Sequence, residues 1–254
     1  MDAEEDAESM AAAASSGRRQ SSFTRARSAE HKQQRREAIL TAARDLALRE
    51  GVQGVTLAAV ARAVGLAKSN VLRYFGTREE IYLELMAEQW REWADELATR
   101  MPASPTSTAA LAAALCDSLA SRPLFCDLQS VLATSLERHV GLESASRYKT
   151  AALASVERAG IVIADHTGLE PGEGFELAAA ATVFAGMIWP MAHPPAVLRE
   201  LYRAEPELAR ACPPFGPTLE RLIHVLAEGL PATRPAPSRP ATGPPASGDT
   251  GAAC

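Results

Sequence analysis

Apolar residues recur three and four positions apart along most of this chain, and glycines and prolines cut the pattern into helical segments. Ile39, Ala43 and Leu46 form a first stripe that stops at Gly51. Leu57, Val60, Ala61 and Val64 form a second, opened by Thr56 at an N-cap position and closed by Gly65, the residue best able to turn the chain with φ > 0. Leu66 then plugs the turn against the core. From Ala67 the pattern restarts: Val71 and Phe75 lie four apart on one face with Leu72 beside Val71, while Lys68, Ser69, Asn70 and Arg73 point elsewhere. Gly76 and Thr77 end this helix and open the next. Two short helices pinned by a glycine turn predict a helix-turn-helix, whose second helix presents donors and acceptors suited to base edges and phosphates. The same spacing also fits two surface helices of an ordinary helical protein, so the motif needs context.

Charge supplies it. Between Arg18 and Arg78 stand thirteen Lys and Arg against four acids, a formal +9 in a chain of net −5, so the remainder carries −14. Positive charge segregated onto the motif is the footprint of a polyanion-binding module.

Beyond the motif, period-two alternation is scarce, and an all-α fold is expected. Helices are predicted at about 34–50, 56–63, 67–73, 77–101, 106–121, 123–140, 142–166, 173–193, 195–203 and 215–229. Four segments follow: an N-terminal tail over 1–33 with a basic arm, a three-helix DNA-binding domain over 34–78, a helical effector-binding and dimerisation domain over 79–230, and a Pro/Ala-rich tail over 231–254. The tails are too polar for a core. Residues 1–17 contain no apolar run long enough for a signal peptide or a membrane span, so no membrane partner is expected. The long fourth helix, through Tyr82, Met86, Trp90 and Trp93, starts against the reading helix and is the expected mechanical link, with the two tryptophans as core packing. The helix from Glu173 to His193 is apolar nearly all round and needs a partner on its second side. With the stripe Leu222, Ile223, Leu226 and Leu230 it predicts a two-fold four-helix interface, and hence a homodimer on a near-palindromic operator.

The stretch from Arg35 to Met86 resembles the N-terminal domain of the TetR/AcrR family of transcriptional regulators. The likeness rests on the helix before the motif, the Thr that opens the second helix, the glycine turn, and the aromatic-Phe-x-x-basic ending at Tyr74, Phe75 and Arg78. Two positions depart from the family pattern: Ser69 stands where a smaller residue is usual, and Leu72 where the family carries Tyr in a Tyr-x-His-Phe ending. The resemblance implies phosphate contacts from Thr56, Tyr74 and Arg78 and groove contacts from Lys68, Ser69, Asn70 and Arg73. Chemistry points the same way, since Asn can pair bidentately with adenine and Arg with guanine, whereas Lys and Arg at the rim are sequence-blind anchors. The resemblance also implies a C-terminal dimer and a small-molecule effector held between helices, whose occupancy releases the protein from double-stranded DNA. Met101, Leu115, Cys116, Phe125, Cys126, Leu128, Leu132, Phe184 and Trp189 are the candidate lining, which suits an apolar or aromatic effector.

The remaining chemistry is sparse. Cys116, Cys126, Cys212 and Cys254 have neither C-x-x-C nor zinc spacing, so reduced thiols in a cytoplasmic protein are the expectation, with oxidant sensing by Cys116 and Cys126 across a helix hairpin as the alternative. His139, His166, His193 and His224 are dispersed, and no metal site is expected. The sequence carries no phosphate-cradling glycine loop and no nucleophile elbow, so neither catalysis nor a cofactor is expected. The expected function is a ligand-responsive repressor. The alternatives are an activator on the same scaffold and a helical ligand-binding protein that has lost specific DNA binding.

Overall fold

The computed structural model describes residues 30–101 and 107–234. The basic arm before residue 30 and the Pro/Ala-rich stretch after residue 234 lie outside these. Among the described residues the fold is all helical, with no strand.

Helix α1 is described over residues 30–50, its last bond running from the Gly51 N–H to the Ala47 carbonyl at 2.8 Å, and the φ of 75° at Gly51 then turns the chain out of the helix. Helix α2 (Leu57–Ala63) starts because Thr56 Oγ1 accepts the Ala59 N–H at 3.2 Å, which satisfies an otherwise free donor of the first turn. It stops at Gly65, φ 66°, with the Leu66 N–H bonding back to Ala61 O at 2.9 Å. Helix α3 (Lys68–Val71) continues in helical turns to Phe75, whose N–H reaches Val71 O at 3.1 Å. Ile39, Ala43, Leu46, Val60, Ala61, Val71 and Phe75 close a small core between these helices and helix α4 (Arg78–Arg100).

The larger body consists of α5 (Thr108–Ala120), α6 (Pro123–Val131), α7 (Leu142–Asp165), α8 (Pro171–Ala192), α9 (Ala196–Ala204) and α10 (Phe215–Gly229). Helix α4 runs into it and packs on α5, α6 and α7. Trp90 meets both Trp93 and Phe125 edge to face, with the Trp90 and Phe125 centroids 5.0 Å apart, Trp93 stacks on Phe125, and Trp93 Nε1 donates to Ser118 Oγ at 3.1 Å. Helices α7 and α8 cross at glycine: a Cβ added to Gly174 would lie 2.2 Å from Gly160 O, so only glycine permits that approach.

The expected single helix over 123–140 is broken. Regular α geometry ends at Val131 and a π-helical turn follows over Leu132–Leu136. Ser130 and Thr134 hydroxyls donate to the carbonyls of Asp127 and Val131, at 2.7 and 3.4 Å, which offers the backbone an alternative to its regular ladder there. Helix α8 has the length and hydropathy of a membrane span, yet it packs against α6, α7 and α10 as a core helix does. Its Val183, Met187 and Met191 remain exposed.

Candidate nucleic-acid interface

Helix α3 sorts its side chains by the roughly 100° that each residue advances around a helix. Val71 and Phe75 face the core and are buried, at 0% and 2% exposure. Ser69, Asn70 and Arg73 lie on the opposite arc, Lys68 stands at the start of the helix beside the core face, and all four are exposed, as the sequence pattern predicts. Ser69 and Arg73 stand near the middle of that arc and Asn70 on its far flank. One expectation changes: Leu72 does not join Val71 in the core but is 41% exposed, between Lys68 and Ser69 around the helix.

Of the three residues expected at phosphates, Thr56 is exposed, and its hydroxyl can donate outward while accepting the Ala59 N–H. Tyr74 is half-buried, and its carbonyl accepts Arg36 Nη1 at 2.8 Å. Arg78 is a correction. Its Nε donates to Val55 O at 2.6 Å, its Nη2 donates to Val52 O, its Nη1 pairs with Glu79 at 3.0 Å, and its guanidinium lies 4.9 Å from the Tyr82 ring centroid. With 18% of the side chain exposed, it clamps the loop between α1 and α2 onto the start of α4, and three of its five N–H donors are engaged inside the protein.

Four polar links join this unit to the body. Arg36 and Arg44 of α1 pair with Glu84 and Glu88, one turn apart on α4. Asp127 of α6 accepts the Val52 N–H at 2.6 Å, and the Val52 carbonyl in turn accepts Arg78. The Glu80 carboxylate accepts the Gly76 N–H at 2.8 Å with one oxygen and the Gly141 N–H at 3.2 Å with the other, bridging the exit of the reading helix to the start of α7. Burial raises the pKa of both Glu88 and Asp127, against the opposing pull of Arg44 and of the Val52 N–H respectively. Sequence reasoning missed Glu80 and Asp127 because the links they make to Gly141 and Val52 are to backbone groups remote in sequence.

The nine effector candidates lie in the packed core or at its edge. Leu115, Phe125, Cys126 and Leu128 are fully buried in packed core, Met101 and Cys116 nearly so, and Leu132, Phe184 and Trp189 half-buried. None of the nine lines the 870 Å³ cleft found between α1, α4 and α7, nor a smaller 430 Å³ groove beside Leu48. The larger cleft is walled by charge, including Arg36, Glu84, Glu143 and Arg147. Cys116 and Cys126 are free thiols that donate to Gly216 O at 3.2 Å and Leu119 O at 3.4 Å. Burial pushes their pKa values up to about 11 and about 12, so neither holds the thiolate that oxidant sensing needs. Among the described residues no three His, Cys, Asp or Glu gather as a metal-binding group.

A helix-turn-helix with an outward polar reading arc, set on an all-helical body, defines a DNA-binding regulator of transcription. Residues 39–85 match the model of "Bacterial regulatory proteins, tetR family", and residues 87–234 match "Tetracyclin repressor-like, C-terminal domain". The second match alone covers more than half of the chain, which belongs to the TetR family. Similar solved structures include the fatty acid degradation regulator FadR from Bacillus halodurans, 14% identical, covering 77% of this chain and 96% of that one with a TM-score of 0.49. Another is Thermus thermophilus FadR in complex with lauroyl-CoA, 18% identical, covering 80% and 98% with a TM-score of 0.49. A third is FadR from Bacillus subtilis in complex with stearoyl-CoA, 12% identical, covering 76% and 96% with a TM-score of 0.46. No curated protein matches the chain.

Proposed function

We propose that this chain is a cytoplasmic, ligand-responsive repressor that binds a near-palindromic operator as a homodimer. The observation that carries the reading is the exposure of Lys68, Ser69, Asn70 and Arg73 together on α3, with Val71 and Phe75 buried. Arg73 and Asn70 read bases by bidentate hydrogen bonds, while Lys68, Thr56 and Tyr74 hold the backbone. Exposed Val183, Met187 and Met191 on α8 recur every fourth residue, and α10, which packs on α8, exposes Val225. Covering these residues with a second copy places two α3 helices on one face of DNA, which favours a symmetric operator.

Control by a small apolar effector fits a body whose middle is aromatic and aliphatic. Half-buried Leu132, Phe184 and Trp189 give entry, and the buried Oε1 of Gln129, whose side chain lies against Gly186 of α8, finds no donor among the described residues. Displacing α6 would move Asp127 and, through Val52 and Arg78, the loop that supports α2. Coupling between the sites then requires two positions of α6, one favoured by the effector and the other by DNA. The test is selection of genomic fragments by the purified protein at near-physiological salt, followed by footprinting. A two-fold symmetric protected site is expected; weak, sequence-blind binding overturns the reading.

A further inference from the structure

We propose that Leu72 reads a thymine methyl group in the major groove, making an apolar contact the determinant of one base pair in each half-site. The inference rests on the DNA-binding reading above and adds a specificity residue to it. Scattered surface leucines need no explanation. Leu72 differs in its position: it lies between Lys68 and Ser69 around α3, one turn beyond Lys68, and 41% of it is exposed. The core on the other side is complete without it, since Val71 and Phe75 already fill that face at 0% and 2% exposure.

Chemistry then narrows the target. An isobutyl group has no donor or acceptor, so it cannot hold a phosphate, and pressed against a polar base edge it would strip water from that edge without replacing the hydrogen bond. The major groove displays polar atoms at every base pair and one bulky apolar group, the thymine C5-methyl. A leucine carried into the groove on the reading arc therefore gains by meeting that methyl and loses by meeting the alternatives. Because Leu72 lies about 100° around the helix from Arg73, the methyl belongs to a base pair beside the one that Arg73 reads.

The experiment starts from a DNA sequence selected from a random pool by the wild-type protein. Each thymine is replaced in turn by deoxyuridine, which lacks only the methyl, and affinity is measured for wild type and for Leu72→Ala. At one thymine per half-site the wild type should lose about fourfold, and about fifteenfold when both half-sites are changed, the loss expected for one buried methyl each time. Leu72→Ala should be indifferent to the same replacements while keeping its fold by circular dichroism, since the removed atoms are exposed. Wild-type affinity unmoved by every uracil, or equal sensitivity in Leu72→Ala, overturns the proposal and leaves the DNA-binding reading standing. A pool that yields no specific sequence overturns both.

Discussion

Arg78 Nε and the carbonyl of Val55 are joined by a hydrogen bond of 2.6 Å, which ties the loop between α1 and α2 to the first turn of α4. The guanidinium also serves Val52 O, so one side chain holds two carbonyls of that loop. Arg78→Ala should cost about 2 kcal/mol of stability, the usual cost of losing charge-assisted hydrogen bonds in a largely buried setting. Arg78→Lys should rescue little, because a single ammonium cannot reproduce the planar fork. Urea unfolding measures both. The folded Arg78→Ala protein should retain the wild-type salt dependence of DNA binding, whereas a flattened slope would return Arg78 to a phosphate.

Arg73 and Lys68 should separate cleanly. Arg73→Ala should relax base preference at one position of each half-site at a cost of about 1–3 kcal/mol, while Lys68→Ala should weaken all sequences alike and lower the salt slope by about one per site. Affinities on a panel of single-base operator variants at several salt concentrations check both. Identical effects would refute the division between reading and anchoring.

Asp127 makes a pH-dependent contribution of defined sign. Burial raises its pKa, so the folded protein keeps a proton that the unfolded chain has already released. The resulting stability is fully present below the ordinary carboxylate value of about 4 and is lost as pH rises through the raised one. Asp127→Asn still offers the Val52 N–H an acceptor but cannot ionise. The stability of wild type relative to this variant should therefore fall from pH 4 towards pH 7, measured by urea unfolding at each pH. Parallel curves would mean that the carboxylate is not desolvated.

Local geometry explains what the sequence discloses and what it hides. Thr56, Gly65 and the pair Val71 and Phe75 act on neighbours within a few residues, so pattern alone places the helix-turn-helix. The inward turn of Arg78 depends on Val52 and Val55 carbonyls more than 20 residues away, and a basic residue just after a reading helix looks the same in sequence whether it faces a phosphate or the protein. Leu72 reads as a core residue beside Val71 in the sequence because it lies at the edge of the apolar stripe, where one helical step decides between core and solvent. The effector candidates mark the most apolar stretches of the body, but burial among tryptophan and phenylalanine and lining a cavity leave the same trace in composition.

Met187 tests the dimer face with little risk to the fold, being 62% exposed. Met187→Glu should yield a folded monomer by light scattering and weaken operator binding by orders of magnitude, since a charge buried without a partner opposes association. A persistent dimer would move the interface off α8.

Cys116 and Cys126 should resist alkylation in the native protein at pH 7–8, because both thiols are buried and protonated, and react on unfolding. Peptide mass spectrometry after iodoacetamide treatment reads each site separately. Rapid native labelling of either would revive a redox role.

Ser69 stands near the middle of the exposed arc of α3, which makes it the place from which to ask whether this surface enters DNA. With Cys212 and Cys254 replaced by serine, Ser69→Cys carrying a tethered iron chelate should cleave a selected operator by hydroxyl radicals. Two clusters of cuts are predicted, symmetric about the operator centre and separated by about one helical turn or a small multiple of it. Diffuse cleavage without a centre, or a single cluster, would contradict a dimer that reads its operator with α3.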